Sequence, residues 1–309
     1  MKINKPKFWD KKNQTFFSLM LLPFSYIYFL IITIKKYFKK EKEFPIPIIC
    51  VGNIYVGGTG KTPVCIKLKN LLDDKRLPVV IKKKYSNQID EIELLKKYSR
   101  LLVCDERHQG ITAAIEKKFD TVILDDGFQD WNIKKDLNII CFNNNQQIGN
   151  GQLLPAGPLR ESLNSLKMAN IIMINGEKNT EFELKLKKYN NYMKFFYFGY
   201  NLKKFEEFKN RKLIAFAGIG NSVNFFNTLK NNRLNVIKEI TFPDHYDYSD
   251  ADLEKLIKIE EENKAKLITT EKDYLRIDPI KRRRFGFVSI NVNIKNEDEF
   301  TNEVNKIFK

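Results

Sequence analysis

The sequence predicts an α/β protein: a P-loop-like parallel-sheet domain, a second and smaller α/β lobe, and an apolar helix ahead of both. Three observations carry this. Short apolar runs at 46–51, 78–81, 100–104, 121–124, 138–142 and 170–174 have the length of buried strands. Polar, helix-compatible stretches, notably 61–73 and 109–118, lie between several of them, the alternation of a parallel sheet covered on both faces. The first run leads directly into Val51-Gly-Asn-Ile-Tyr-Val-Gly-Gly-Thr-Gly-Lys-Thr-Pro63, which reads as strand, glycine-rich turn and helix start.

Taken in order, residues 1–15 are polar and basic, and Phe16 to Ile34 is nearly uncharged. As a helix that run would be roughly 28 Å long, close to the thickness of a bilayer's hydrocarbon core. Lys35, Lys36, Lys39, Lys40 and Lys42 follow and suit anionic lipid at a cytoplasmic face. No small-residue cleavage site follows, which argues against a secretory signal. Pro23 and the polar points Ser18, Ser25, Tyr26, Tyr28 and Thr33 leave spanning and interfacial placement both open. The expected division is 1–44 for this helix and its basic flank, 45–190 for the P-loop domain and 191–309 for the smaller lobe.

The glycine-rich turn is a candidate nucleotide site formed by Val56, Gly57, Gly58, Thr59, Gly60, Lys61, Thr62 and Pro63. Backbone N–H groups and the positive end of the following helix converge there, which suits a phosphate. Lys61 would reach the β- and γ-phosphates of ATP, and the Thr62 hydroxyl would ligate Mg²⁺. The usual pattern places a glycine where Tyr55 stands, so the loop is a variant.

Downstream, Thr121-Val-Ile-Leu-Asp125-Asp126-Gly127-Phe128-Gln129 is an apolar strand ending in two carboxylates, suited to holding Mg²⁺ or its water shell. Successive strand residues face opposite ways, so Asp125 and Asp126 should have different duties. Cys104-Asp105-Glu106 also ends a strand and would bring Asp105 to the same rim, to orient a base or bind metal. The Gly- and Pro-rich stretch Gly149–Ser162 reads as a long shaped loop, with Arg160 available to phosphate and Glu161 to a metal shell. In the second lobe, strands are expected at 212–216, 236–242, 265–270 and 286–293, with helices at 222–230, 250–262 and 297–308. Phe242-Pro-Asp-His245-Tyr246 ends one of these strands, and His245 beside a carboxylate could accept a proton from a sugar hydroxyl. His108 reads as a surface residue. Thr269–Asp273 reads as a turn or a lobe-to-lobe contact.

The chain has 309 residues, enough for one large or two medium domains. Its 54 Lys+Arg against 38 Asp+Glu give a net charge of +16, which points to an anionic partner such as phospholipid headgroups or a phosphorylated substrate. No RNA-recognition signature or zinc-finger spacing is present, so nucleic acid is not the expected partner. Cys50, Cys65, Cys104 and Cys141 have no C-x-x-C spacing and read as buried free thiols. Nothing in the sequence fixes the oligomeric state.

Together, Val51–Pro63, Asp105-Glu106, Asp125–Gln129, Gly149–Glu161, Ala215–Asn221, Phe242–Tyr246 and Thr269–Asp273 resemble the tetraacyldisaccharide 4′-kinase (lipid A 4′-kinase) family, in that family's order and over most of the chain. The resemblance implies transfer of the ATP γ-phosphoryl group to the 4′-hydroxyl of a tetraacylated glucosamine disaccharide 1-phosphate. It also implies Mg²⁺, work at the cytoplasmic face of the bacterial inner membrane, and two P-loop-like lobes of which the first binds nucleotide. The family's Asp–His base would fall on Asp105 and His245. Metal and phosphate duties would fall on Lys61, Thr62, Asp125, Asp126 and Glu161. The sequence departs from the family's pattern at Lys82-Lys-Lys-Tyr-Ser86, where Ser-Arg-Gly-Tyr-Gly is usual, at Cys104 in place of glycine, and at Asp130 in place of histidine. The competing reading is a membrane-tethered regulatory P-loop NTPase with no sugar-lipid acceptor.

Overall fold

The computed structural model describes residues 6–11, 13–85 and 88–308. Ser86, the last of the five departing residues above, lies outside them. In chain order the elements are α1 (Phe16–Tyr37), β1 (Ile48–Gly52), α2 (Lys61–Leu72), β2 (Pro78–Lys83), α3 (Ile89–Tyr98), β3 (Leu101–Cys104), α4 (Arg107–Glu116), β4 (Thr121–Asp125), β5 (Leu137–Asn143), β6 (Ile171–Asn175), α5 (Thr180–Lys187), β7 (Lys194–Lys203), β8 (Lys212–Ala217), α6 (Ser222–Asn231), β9 (Asn235–Thr241), α7 (Asp250–Asn263), β10 (Lys266–Thr270), α8 (Glu271–Arg276), β11 (Gly286–Ile294) and α9 (Glu297–Asn305). The described residues form two compact units: a larger one from Lys5–Lys83, Ser99–Gly199 and Asn293–Lys309, and a smaller one from Lys84–Tyr98 and Tyr200–Val292.

In the larger unit the strands are parallel in the order β3-β2-β4-β1-β5-β6-β7. β1, β4 and β6 are buried along their whole length, as near-continuous apolar runs require when helices cover both faces. One face packs Phe142, Ile172 and Leu166 against Phe182 and Leu186 of α5. The other packs Val79, Ile81, Val122 and Leu124 against Ile111 and Ala114 of α4. Because the strands run one way, the ends of β1, β2, β3 and β4 share a rim, where ligands of such sheets collect.

α1 runs three residues past the expected end and is docked by a series of hydrogen bonds. Ser18 Oγ donates to the Ala156 carbonyl at 2.9 Å, Ser25 Oγ to Leu153 O at 2.9 Å, and the Tyr28 hydroxyl to Arg160 O at 3.1 Å. Lys36 pairs with Glu161 near the other end. The remaining surface of the helix exposes Phe17, Met20, Phe24, Ile27, Leu30 and Ile34. α9, expected in the second lobe, belongs to the larger unit, with Phe300 edge-on to Phe196 of β7 and Glu297 paired to Lys67 of α2.

The smaller unit has parallel strands in the order β11-β10-β8-β9. β8 alternates as a strand covered on both faces must: Leu213 and Ala215 join Phe226 and Leu229 of α6, while Ile214 and Phe216 join Leu253 and Leu256 of α7. α8 replaces the expected turn after β10, and its N-cap Thr270 accepts from the Asp273 N–H. α3 has no counterpart in the sequence reading. It is held to α8 by charge: Asp90 on Arg276 at 2.6 Å, Glu91 on Lys272 at 2.7 Å, and the Tyr98 hydroxyl on Glu271 at 2.8 Å.

The larger core is tight enough to test by cavity formation. Phe142, fully buried and edge-on to Phe182, should cost about 3–5 kcal/mol when changed to Ala. Chemical denaturation of Phe142→Ala against the parent measures that loss.

Candidate active site

The turn after β1 has the geometry of an anion cradle. Gly57 and Gly60 adopt φ of +124° and +90°, which side-chain-bearing residues rarely tolerate. Gly60 is the N-cap of α2 and has no side chain to cap it, so the first-turn N–H groups of α2 remain for an anion. The buried Asn53 side chain braces the turn, donating to Thr59 Oγ1 at 2.9 Å, and Gln129 donates to the Asn53 carbonyl at 2.7 Å. Tyr55, at the usual glycine position, is fully buried and donates its hydroxyl to Asp10. The variant loop is thus anchored by an aromatic ring where the common form bends at a glycine.

The two aspartates ending β4 do point to different duties. Asp125 is fully buried. Its Oδ2 accepts from Thr62 Oγ1 at 3.2 Å and from Lys82 Nζ at 2.8 Å, and Oδ1 lies 3.7 Å from Cys65 Sγ. Asp126, at φ +58°, turns the other way, holds Arg160 in a two-pronged pair at 2.9 and 3.1 Å, and lies 3.7 Å from Lys61 Nζ. Burial works to raise the Asp126 pKa, but Lys61 and Arg160 outweigh it and hold the carboxyl well below the ordinary range.

Arg160 is delivered by the Gly- and Pro-rich loop. Its N–H donates to Ile54 O at 2.7 Å, and Val56 N–H donates to Pro158 O at 2.9 Å, so this loop runs alongside the start of the glycine-rich turn. Glu161 does not join the Thr62–Asp125 corner. It is fully buried and accepts from Lys36 and from Trp131 Nε1 at 3.1 Å. Glu161 thus meets Lys36 of α1, and Asp126 meets Arg160 and Lys61.

Among the described residues no three His, Cys, Asp or Glu side chains gather into a metal cage. Thr62 Oγ1 and Asp125 Oδ2 nevertheless fit a small octahedral ion. Their 3.2 Å separation is close to the roughly 3 Å between neighbouring corners of a shell with ligands at about 2.1 Å. Such an ion takes one or two protein oxygens and leaves the rest to phosphate and water.

In the smaller unit, His245 sits at φ +54° after β9, with its N–H bonded to the Gly218 carbonyl. The carboxylate brought to it is Asp90, 3.3 Å from Nδ1. Asp90 is 2% exposed and also holds Arg276, which in turn bonds Asp273 at 2.9 Å and the Gly218 carbonyl. Burial raises the Asp90 pKa, but the hydrogen bond with His245 and the charges of Lys272 and Arg276 prevail and bring it down to about 2. Asp105, expected as the partner of His245, is exposed at the end of β3 in the larger unit. Asp90 and its neighbour Glu91 form a second Asp-Glu pair, at the start of α3, which the sequence reading did not single out. His108 is exposed, as expected. Lys82, Asp90, Arg107 and Arg276 are charged residues at these places to which the sequence reading gave no role.

The family profile for tetraacyldisaccharide-1-P 4′-kinase (LpxK) matches residues 17–309. The chain is 42% identical over 313 residues to the tetraacyldisaccharide 4′-kinase of Pelagibacter ubique, covering 99% of each, and 36% identical over 90% of each to that of Rickettsia bellii. The chain belongs to the LpxK family. Its fold also matches the crystal structure of LpxK from Aquifex aeolicus in complex with ATP, with a TM-score of 0.72 and 30% identity over 94% of this chain and 99% of that one.

The departures from the family's pattern find local roles. Asp130 lies 3.5 Å from the buried Arg107, whose NH2 donates to the Asp126 carbonyl at 2.7 Å, so the pair steadies the turn after β4. Cys104 packs its sulfur 2.9 Å from where a Cβ on Gly110 would lie, which keeps that α4 residue a glycine. Lys83 pairs with Glu106 at 3.1 Å, and Lys82 reaches Asp125.

The low Asp90 pKa has a measurable consequence. The depressed folded value makes the ionised carboxylate stabilising above its ordinary value of 3.8, and that contribution is lost as pH falls through about 2. Asp90→Asn should lower stability by about 2 kcal/mol at pH 7, with the difference closing between pH 4 and 2. Denaturation midpoints of the two proteins across that range test it.

Proposed function

We propose that the chain transfers the γ-phosphoryl group of ATP to the 4′-hydroxyl of tetraacyldisaccharide 1-phosphate in lipid A biosynthesis, using Thr62 and Asp125 for Mg²⁺ and Asp90 with His245 as the base. The observation that carries the reading is the α2 start at Gly60–Thr62 set against Asp125, with Arg160 and Lys61 both on Asp126. Phosphoryl transfer depends mostly on positioning and charge stabilisation, and these residues supply both. The turn amides and Lys61 would bind the β- and γ-phosphates. Arg160, released in part from Asp126, would meet charge developing on the transferred group. Mg²⁺, when bound, supplies further neutralisation of the phosphate oxygens.

The acceptor hydroxyl must lose a proton. Asp90 Oδ1 and Arg276 NH2 both lie 3.3 Å from His245 Nδ1, and the tautomer that donates from Nδ1 to Asp90 keeps on Nε2 the lone pair that accepts a proton. Arg276 prevents Asp90 from taking that proton itself. A regulatory NTPase that hydrolyses nucleotide without an acceptor is not favoured, because the relatives named above are kinases.

For the membrane, we read α1 as lying in the interface rather than crossing it. It is long and apolar enough to cross, with a mean hydropathy of 2.1. Its hydrogen bonds at Ser18, Ser25 and Tyr28, and the Lys36 ion pair, spread along most of its length, and a spanning helix would lose them. The opposite apolar surface and the net charge of +16 then suit anionic headgroups at the cytoplasmic face rather than nucleic acid.

Two measurements follow. With ATP and the purified lipid disaccharide, Asp90→Ala and His245→Ala should each lower kcat by about 10²-fold or more. A near-normal rate in either variant would remove the assignment. In flotation with anionic vesicles, a Phe17→Ser, Phe24→Ser, Leu30→Ser triple variant should move largely to the unbound fraction; unchanged binding would remove the interfacial reading.

A further inference from the structure

The candidate site of the larger unit carries more cationic than anionic side chains. Asp126 faces Arg160 and Lys61, and Asp125 faces Lys82. Three cations therefore surround two carboxylates. Lys82 is the unexpected member. It is 1% exposed, sits directly across from Asp125 in the β2–β4 register, and donates at 2.8 Å to the same Oδ2 that Thr62 reaches at 3.2 Å.

A divalent cation approaching the Thr62–Asp125 corner would find the Asp125 charge already cancelled, with the Lys82 ammonium a few ångströms away. In a buried site such like-charge repulsion is poorly screened. An incoming nucleotide reverses the balance, because its phosphates bring negative charge to a site with a positive surplus. We propose that Lys82 is a positioning residue that stands in for the metal's charge at Asp125 and makes divalent-cation binding conditional on nucleotide. The proposal rests on the reading of Thr62 and Asp125 as the metal corner.

The test uses the full chain and Mn²⁺, followed by electron paramagnetic resonance or calorimetry, with and without a non-hydrolysable ATP analogue. Without nucleotide, Lys82→Met should bind Mn²⁺ about tenfold or more tightly than the parent, and Lys82→Arg should restore the weak binding of the parent. With the analogue, the difference between Lys82→Met and the parent should shrink. Lys82→Ser serves the same purpose if Lys82→Met does not fold. Equal nucleotide-free affinity in the parent and the neutral variant, with normal binding of both in the presence of the analogue, would overturn the role of Lys82 while leaving the metal corner standing. If Thr62→Ala bound Mn²⁺ with the analogue as well as the parent does, the metal corner would fall, and this proposal with it.

Discussion

Two carboxylates on consecutive residues at the end of a buried strand repel each other and lose their water, and the larger unit is arranged around relieving that cost. The left-handed backbone at Asp126 sends the two side chains to opposite sides. Each is then answered by its own cations, which is the condition under which buried charge is tolerated. The answer to Asp125 comes from the neighbouring strand, through Lys82, and from the start of α2, through Thr62. The answer to Asp126 comes from Arg160, on a loop far along the chain. Strand order, turn conformation and loop path are thereby tied to one pair of residues.

The smaller unit uses the same device for a different end. Asp90, Arg276 and Asp273 form a buried alternation of charge, and Tyr248 donates to Asp273 at 2.9 Å. Asp273 also accepts from the Gly218 N–H, while the Gly218 carbonyl takes the His245 N–H, so the backbone on both sides of the histidine is pinned. His245 holds a positive φ that a residue with a Cβ seldom adopts, and this bonding is what maintains it.

Much of the fold could be read from the chain because its strands are apolar runs bounded by polar segments. The first six expected strands all form, each within two residues of its expected start. The glycine-rich turn was legible because few other structures call for Gly-Gly-Thr-Gly-Lys-Thr after a strand. α3 was not singled out: it buries only Leu94 and Leu95 among its apolar residues, and ion pairs tie it to α8, which leave no periodic signal. The approach of Asp90 to His245, at 3.3 Å, was hidden with that helix. Lys82 was visible only as a departure from a familiar pattern. Its meaning depends on the β2–β4 register, which is a tertiary fact.

The docking of α1 bears on how this protein can be handled. Glu161 is fully buried, and Lys36 near the far end of the helix supplies its countercharge. The carbonyls of Leu153, Ala156 and Arg160 each accept a hydrogen bond from the same helix. Trimming the chain before residue 40 to improve solubility would thus strand a carboxylate in an apolar setting and loosen the segment that carries Arg160. A soluble form is better sought by recolouring the outward residues of α1 with polar side chains while keeping Ser18, Ser25, Tyr28 and Lys36 in place.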